Sequence, residues 1–319
     1  MKKKPLVAII ISNYNGASIT YMNRPILELC LESLQKIKYY NIKIIVADDN
    51  SSDDSKKITE KFNVDFVINK NSRGFAKNNN NAIKFSLGRY NPDYVMLLNN
   101  DVIIADIYFL NKLVKVGESR KLNGIISPKT TYPDGKLQYN GIYLKFGVLP
   151  RIRAWDRLIS TKNIEKIEVA GGAALLIKRS VIDRIGLLDE NFVMNLEDVD
   201  YSLRARRSGF VIVLYNNTKI IHLEHFTIKT LKKQSMAPAF DFFTDQFNYA
   251  YFSLKEFNGI KRSLSLLTNI ILRTFFTVES SSMGGFKLKI RPHFLRNLFV
   301  TLQAIKKAYL INKMQNRIG

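Results

Sequence analysis

Short apolar runs alternate with amphipathic stretches through the first hundred residues, and that rhythm limits the possible folds more than any other feature. Residues 6–11, 42–47, 64–68 and 94–98 are rich in Ile, Val and Leu and are flanked by turn-forming residues. Continuous apolar runs of this length suit parallel strands buried on both faces. Between them, residues 25–39, 53–62 and 76–87 read as helices, the first with Pro25 in its opening turn and the second with Asp and Ser start signals. Strand–helix–strand repetition predicts a doubly wound α/β sheet with right-handed crossovers. Beyond Gly124 the rhythm changes. Residues 131–149, with Pro133-Asp134-Gly135, read as a hairpin or loop region. Strands are expected at 174–177, 210–214 and 219–222, and a helix at 197–208, stopped by Gly209. After about residue 226 the chain reads as helical, at 240–257, 263–278 and 293–314.

A chain of 319 residues can bury one large core or a core plus an extension. Cys30 is its single cysteine, so no internal disulfide forms and a reducing, cytoplasmic compartment is the natural setting. No secretory signal is expected from the Lys-rich start, which leads into only seven apolar or small residues before Ser12. The net charge of +22 calls for an anionic partner. From Lys255 onward twelve Lys or Arg face only Glu256 and Glu279, in a stretch also rich in Leu, Ile and Phe. Basic and apolar together fit an anionic membrane surface better than a nucleic acid. Residues 263–278 contain Arg273 and are too short to span a bilayer. Phe294, Leu298, Leu302, Ile305 and Tyr309 recur at helical spacing, with Lys306, Lys307, Lys313 and Arg317 mostly off that stripe. The same stripe would equally pack on the rest of the chain or on a second subunit.

Ligands of open α/β sheets bind outside the carboxyl ends of the strands. Three polar clusters fall there: Ser12-Asn13-Tyr14-Asn15-Gly16, Asp48-Asp49-Asn50-Ser51-Ser52-Asp53 and Asn99-Asn100-Asp101. Neither G-x-G-x-x-G nor G-x-x-x-x-G-K-[ST] is present, so acids stand where dinucleotide and P-loop folds present glycines. A carboxylate beside a nucleotide can accept from a base imide or a ribose hydroxyl, or hold a hard cation on a diphosphate. Each acid also has a plainer reading: Asp48 and Asp49 as turn residues, Asp101 as a helix cap, and Glu197, Asp198 and Asp200 as acids at a helix N-terminus.

The ordered set of motifs resembles glycosyltransferase family 2, with its GT-A fold, and in particular the rhamnosyltransferase-like branch. Ile10 to Gly16 is similar to the opening strand and nucleoside loop, and Ile45 to Asp53 to the V-D-[DN]-x-S-x-D segment. Gly74-Phe75-Ala76-Lys77-Asn78-Asn79-Asn80 resembles the G-F-A-x-x-N-N stretch, and Leu97-Leu98-Asn99-Asn100-Asp101 a variant of the DxD metal motif that keeps only the last acid. Gly171 to Ile177, Gly186 to Phe192, and Glu197-Asp198-Val199-Asp200-Tyr201-Ser202-Leu203-Arg204 are similar to the family's central and E-D-x-D-x-x-x-R segments. The match runs in order from about residue 6 to 225.

The resemblance implies a catalytic domain over 1–226, with a nucleotide-binding part (1–101) and an acceptor-binding part (102–226), followed by a basic helical region over 227–319. It implies nucleotide-sugar contacts from Ser12, Asn13, Tyr14, Asp48 or Asp49, Gly74, Asn79, Asn99, Asn100 and Gly172. Asp101 and His222 would hold Mg2+ or Mn2+, and Asp198 would act as general base with Glu197 beside it. One base without a nucleophilic carboxylate means direct displacement with inversion. The resemblance implies a nucleoside-diphosphate sugar donor, with rhamnose favoured and galactofuranose, glucose and others open. The acceptor is a glycan or a polyprenyl-linked glycan at the inner face of the cell membrane, and an oligomer is compatible with this. Arg204, Arg206 and Arg207 are expected on a solvated helix face, Trp155 is a candidate sugar-stacking residue, and His225 and His293 receive no role. A sugar-1-phosphate nucleotidyltransferase and a non-enzymatic nucleic-acid binder are the competing readings. The first lacks a Gly-rich basic loop at residues 12–16, and the second requires a basic rather than an acidic sheet edge.

Overall fold

Strand β1 (Val7–Asn13) occupies the middle of the sheet, and its alternating side chains define two cores. Val7, Ile9 and Ile11 pack on one face with helices α1 (Ile26–Gln35) and α4 (Phe109–Ser119), whereas Ala8 and Ile10 pack on the other with α3 (Phe75–Tyr90). This two-sided burial explains why the run is apolar at every position. A computed structural model describes residues 4–70, 74–145, 149–152, 162–192, 194–223, 242–280, 286–290 and 293–318. Strands β4 (Ile42–Asp48), β5 (Asp65–Ile68) and β6 (Tyr94–Asn99) run parallel to β1 in the order β6-β1-β4-β5. The register pairs Asn13 with Asp48 and Ser12 with Asn99, so three polar clusters end on one edge. The two-residue strands β2 (Thr20–Tyr21) and β3 (Arg24–Pro25) form a small hairpin beyond β1, and α2 (Ser55–Glu60) follows the β4 loop.

The other half of the sheet is mixed. After β7 (Val102–Ile103) come β8 (Asn123–Thr131), β9 (Leu137–Tyr139), the β10 (Ile142–Lys145)–β11 (Leu149–Ile152) hairpin and β12 (Ile164–Ile167). Strand β13 (Ala174–Lys178) lies antiparallel between β6 and β8, and β14 (Val211–His222) lies parallel to β8. The sheet is thus the expected α/β GT-A type, parallel in its first half, with ten strands among the described residues. The strands expected at 210–214 and 219–222 are one strand, with a register shift between Tyr215 and Lys219. Helices α5 (Arg179–Ile185) and α6 (Glu197–Arg207) follow β13.

The C-terminal region contains α7 (Phe242–Glu256), α8 (Gly259–Asn269), a π-helical turn (Ile270–Thr274), the β15 (Phe276–Ser280)–β16 (Phe286–Ile290) hairpin and α9 (Phe294–Ile318). The helix expected over 263–278 therefore stops early, where Phe276, Thr277 and Val278 supply a strand-forming run. The boundary expected at 226, like Trp155 and His225, lies outside the described residues.

Helix α7 is locked onto α6 through the interior. Phe192, Phe247 and Tyr251 form an aromatic stack with ring centroids 5.0 and 5.8 Å apart. Beside it, Lys255 Nζ lies 2.6 Å from Asp189 Oδ2 and 2.5 Å from Asp200 Oδ1, and Tyr251 donates to Asp189. Arg204 is not on a solvated face as expected. Its Nε donates to Asp200 at 2.8 Å, and its terminal nitrogens donate to the carbonyls of Ile185 and Leu187. A fully buried carboxylate requires such partners, and the i,i+4 spacing from Asp200 to Arg204 supplies one of them. Arg207 pairs with Glu256, and Arg206 is exposed.

Removing the Lys255 ammonium would leave Asp200 with Arg204 alone, in a site closed to water. Lys255→Ala is expected to cost about 3 kcal/mol, the usual penalty for breaking a buried pair from one side, read from denaturant unfolding. Lys57→Ala, in the exposed pair with Asp54, should leave the midpoint unchanged.

Candidate active site

The edge is built around the amide of Asn13. Its Nδ2 donates to Asp48 Oδ1 at 2.8 Å, and its Oδ1 accepts from Asn100 Nδ2 at 2.8 Å, so one side chain ties the ends of three strands together. Gly16 is required beside it, because a Cβ there would stand 2.3 Å from Asn13 Oδ1 and 2.7 Å from Asn100 Nδ2. Asp48 also accepts from the Ser51 backbone N–H at 2.8 Å and hydroxyl at 2.6 Å. It is buried and engaged in shaping its own loop, in keeping with the turn reading. Asp49 is partly exposed and accepts from Asn69 Nδ2 at 2.9 Å and from the Gly74 N–H at 3.0 Å. Gly74 has φ +143°, a value open to glycine, and this lets the start of α3 meet Asp49. Ser12 donates to Asn79 Oδ1 at 2.8 Å, a part-buried contact, and Tyr14 is half-buried in the loop that follows β1.

Asn99, Asp101 and His222 form the second group. The segment after Asp101 is strand β7 rather than a helix, which removes the capping reading. Pairing of β14 with β7 sets His222 opposite Val102 and brings its Nε2 to 3.1 Å from Asp101 Oδ1. On the other side of the ring, Nδ1 lies 3.1 Å from Gln138 Oε1. An Nδ1–H donated to that oxygen turns the Nε2 lone pair toward the carboxylate, an arrangement that a proton or a metal cation makes attractive. Asn99 Oδ1 is buried, with no hydrogen-bond partner among the described residues. Asp101 Oδ1 and His222 Nε2 thus offer two donor atoms that fit a divalent cation, with the other positions left to substrate oxygens and water, while Asn99 turns its Nδ2 toward His222 Nε2 at 3.5 Å. Among the described residues no group of three or more His, Cys, Asp or Glu could hold such an ion by itself.

The third group approaches from the antiparallel strand. The Ala173 carbonyl accepts from the Asn99 N–H at 3.1 Å, which fixes residues 171–173 against the end of β6. The Gly171 N–H donates to the Tyr139 hydroxyl at 2.7 Å, and the Gly172 N–H donates to Asp198 Oδ2 at 2.7 Å. Asp198 Oδ1 accepts from the Val199 N–H at 2.8 Å, inside the first turn of α6. Leu196, just before this helix, holds φ +71°, a strained value for a branched side chain. Burial first and the neighbouring Asp198 charge second push Glu197 up to about 8. Burial also pushes Asp198 up, to about 6, but the Val199 and Gly172 N–H groups hold it below Glu197. The two N–H groups thus favour the charge on Asp198 over Glu197.

Sequence reading had brought forward the residues at strand ends, and the fold unites them on this edge. Gln138, Tyr139, Asn69 and Lys255, which orient or balance them from other elements, carry no such signal of a site role in the sequence. Lys255 stands out only as a cation set in an apolar, aromatic helix. His293, at φ +62°, lies just before α9 in the C-terminal region.

Known proteins supply the family. The model of Glycosyl transferase family 2 matches residues 8–186, more than half of the chain. The low-salt glycan biosynthesis hexosyltransferase Agl10 of Haloferax volcanii is 26% identical over 179 residues, a match covering 53% of this chain and 55% of that protein. The alignment thus spans about half the length of that relative. The N-acetylglucosaminyl-diphospho-decaprenol L-rhamnosyltransferase of Mycobacterium tuberculosis is 23% identical over 229 residues, covering 64% of this chain and 74% of that protein. In fold, the chain is similar to a mannosyltransferase from Pyrobaculum calidifontis solved with GDP-Man and Mn2+. The TM-score is 0.52 with 14% identity, over 97% of this chain and 76% of that one. Both competing readings of the sequence, nucleotidyltransferase and nucleic-acid binder, give way. With the motifs in order, the sheet edge assembled and the family model matched, the chain belongs to glycosyltransferase family 2.

Proposed function

We propose that this glycosyltransferase moves a sugar, rhamnose foremost, from a nucleoside-diphosphate donor to a polyprenyl-linked glycan at the inner membrane face, with inversion and with help from Mg2+ or Mn2+. The observation that supports the reading is the link from Asp198 through Gly172 and Ala173 to Asn99, the last residue of β6, two residues before Asp101. The names of the two curated relatives support a glycan acceptor and, for one of them, a rhamnosyl donor and a diphospho-decaprenol carrier.

Asp49 is assigned the nucleoside contact, because it is partly exposed whereas Asp48 is buried within its loop. Asp101 and His222 would hold the cation. When bound, the cation supplies Lewis-acid stabilisation of the leaving diphosphate. Asp198 accepts the proton of the acceptor hydroxyl as that oxygen bonds to the anomeric carbon. The bond from that carbon to the diphosphate oxygen breaks, and its electron pair leaves on the nucleoside diphosphate. Glu197, less exposed than Asp198 and pushed up by burial, would bind the acceptor. Attack opposite the leaving group inverts the anomeric centre.

Asp198→Asn is expected to lower turnover by about 10²–10⁴ with donor affinity held, measured as nucleoside diphosphate released in the presence of acceptor. A loss of donor affinity instead would remove Asp198 from the base role. Because Asp198 must be ionised to act, log kcat/KM should fall as pH drops below about 6 and level off above it. In the loop, Asp49→Asn should weaken nucleoside-diphosphate binding in calorimetry while the thermal midpoint changes little, because the amide oxygen can still accept from Asn69 Nδ2. Asp48→Ala should lower the midpoint, because Asn13 and Ser51 lose their acceptor. The opposite pattern would transfer the nucleoside contact to Asp48. Asp101→Ala should abolish the increase in nucleotide affinity that Mn2+ gives to the wild type, and an unchanged increase would exclude Asp101 as a ligand.

A further inference from the structure

Helix α9 buries its small side chains and exposes its large ones. Thr301, Ala304, Ala308 and Asn312 face the core, while Leu295, Phe299, Leu302, Tyr309, Leu310 and Met314 are between 46% and 77% exposed. The stripe expected from the sequence is therefore split. Leu298 and Ile305 lean inward, whereas Leu302 and Tyr309 belong to a second, outward stripe. Lys306 and Lys313 are exposed on that outward stripe, spaced by a heptad with Phe299. Lys307 instead folds back over the Phe243 and Phe247 rings, 5.4 Å from each. Helix α8 repeats the pattern. Ser265 is buried, hydrogen-bonded to Ser253 of α7, while Ile260, Leu264, Leu267 and Ile271 run along its open face. The helices are neighbours: Thr274, at the end of the π-helical turn after α8, hydrogen-bonds Thr301 of α9 at 2.9 Å.

Outward stripes on adjacent helices exceed the scattered single residues that a free surface normally shows. Their charge selects the occupant. No acid occurs in α8, in the π-helical turn or in α9, while Lys261, Lys306 and Lys313 stand exposed among the apolar residues. A second copy packed across a two-fold axis would set these cations against themselves, with no carboxylate in either helix to answer them. An anionic bilayer surface offers both an apolar layer for the stripes and phosphates for the ammonium groups, whose methylene stems lie along the apolar face. No helix among the described residues is long and apolar enough to cross a membrane, so the contact is in the plane of the surface.

We infer that the outward faces of α8 and α9 form a docking surface for an anionic lipid bilayer. The inference deepens the reading of a lipid-carried acceptor and rests on it for its purpose. The binding itself needs neither donor nor acceptor, so a failure of docking and a failure of that reading are told apart.

The test is co-sedimentation of the full chain with vesicles of phosphatidylglycerol and phosphatidylcholine, against vesicles of phosphatidylcholine alone. Binding is expected on the anionic vesicles and should weaken as salt is added. Lys306→Gln with Lys313→Gln should lower the partition coefficient about thirtyfold, as expected for two surface cations. Lys84→Gln with Lys115→Gln, exposed cations of α3 and α4, should leave it unchanged. Phe299→Glu with Leu302→Glu should abolish binding without lowering the thermal midpoint, since neither side chain faces the core. Three results would overturn the inference. The first is a chain that stays in the supernatant at low salt, and the second is equal binding to neutral vesicles. The third is a dimer in light scattering that Phe299→Glu with Leu302→Glu dissociates.

Discussion

Both ends of the Asn13 amide are used, and the candidate site depends on that double engagement. A buried amide that donates to a carboxylate on one side and accepts from an amide on the other fixes the relative heights of the loops after β1, β4 and β6. Either partner lost would leave a polar group closed off without its hydrogen bond, which costs more than the bond itself contributes. Gly16 is part of the same device, because only the absence of a Cβ leaves room for the Asn13–Asn100 pair. Asp49 and Asp101 each lie one residue beyond a partner of Asn13, so the spacing between the two candidate ligand groups follows from a contact that touches no ligand.

A second constraint acts on α6 from behind. Asp200 stands two residues after Asp198 and is fully buried, balanced by Arg204 from its own helix and by Lys255 from α7. The C-terminal region is thus more than an appendage. Its first helix supplies the cation that allows the acid-rich start of α6 to be packed away from water. Its later helices turn small side chains to that packing and leave the large ones outside. An ion-paired interior and a hydrophobic exterior divide the region between two tasks, and the excess of Lys and Arg read from composition serves both.

The parallel half of the sheet was legible because its strands carry near-continuous apolar runs and three of them end in Asn or Asp, a pattern that needs no distant partner to be recognised. Pairings between distant segments were not legible. His222 reaches Asp101 only because β14 pairs with the two-residue strand β7, too short to leave a period in the sequence. Gln138 reaches His222 from β9, a three-residue strand inside what reads as a loop. Arg204 looked like a surface cation because its neighbours Arg206 and Arg207 are charged, and the decisive fact, a buried Asp200 four residues earlier, is a matter of tertiary packing. The outward stripe of α9 was misplaced for a related reason. Periodicity finds an apolar face but does not say whether the protein or something else covers it, and here the core took the face of Thr301, Ala304 and Ala308.

The adjacent acids Glu197 and Asp198 show how local geometry decides which of two like groups carries a charge. Both are enclosed, and enclosure alone disfavours ionisation of each. What separates them is the backbone. Asp198 folds onto the first turn of α6 and accepts an N–H there, then accepts a second from Gly172, while Glu197 Oε2 has no hydrogen-bond partner among the described residues. Two oriented dipoles favour the anion on Asp198, and once it is charged the neighbouring carboxyl is more costly to ionise. The Gly172 N–H can reach Asp198 only because Ala173 is held by Asn99 at the end of β6, so the same strand end that leads to Asp101 also sets the charge of the acid proposed as base.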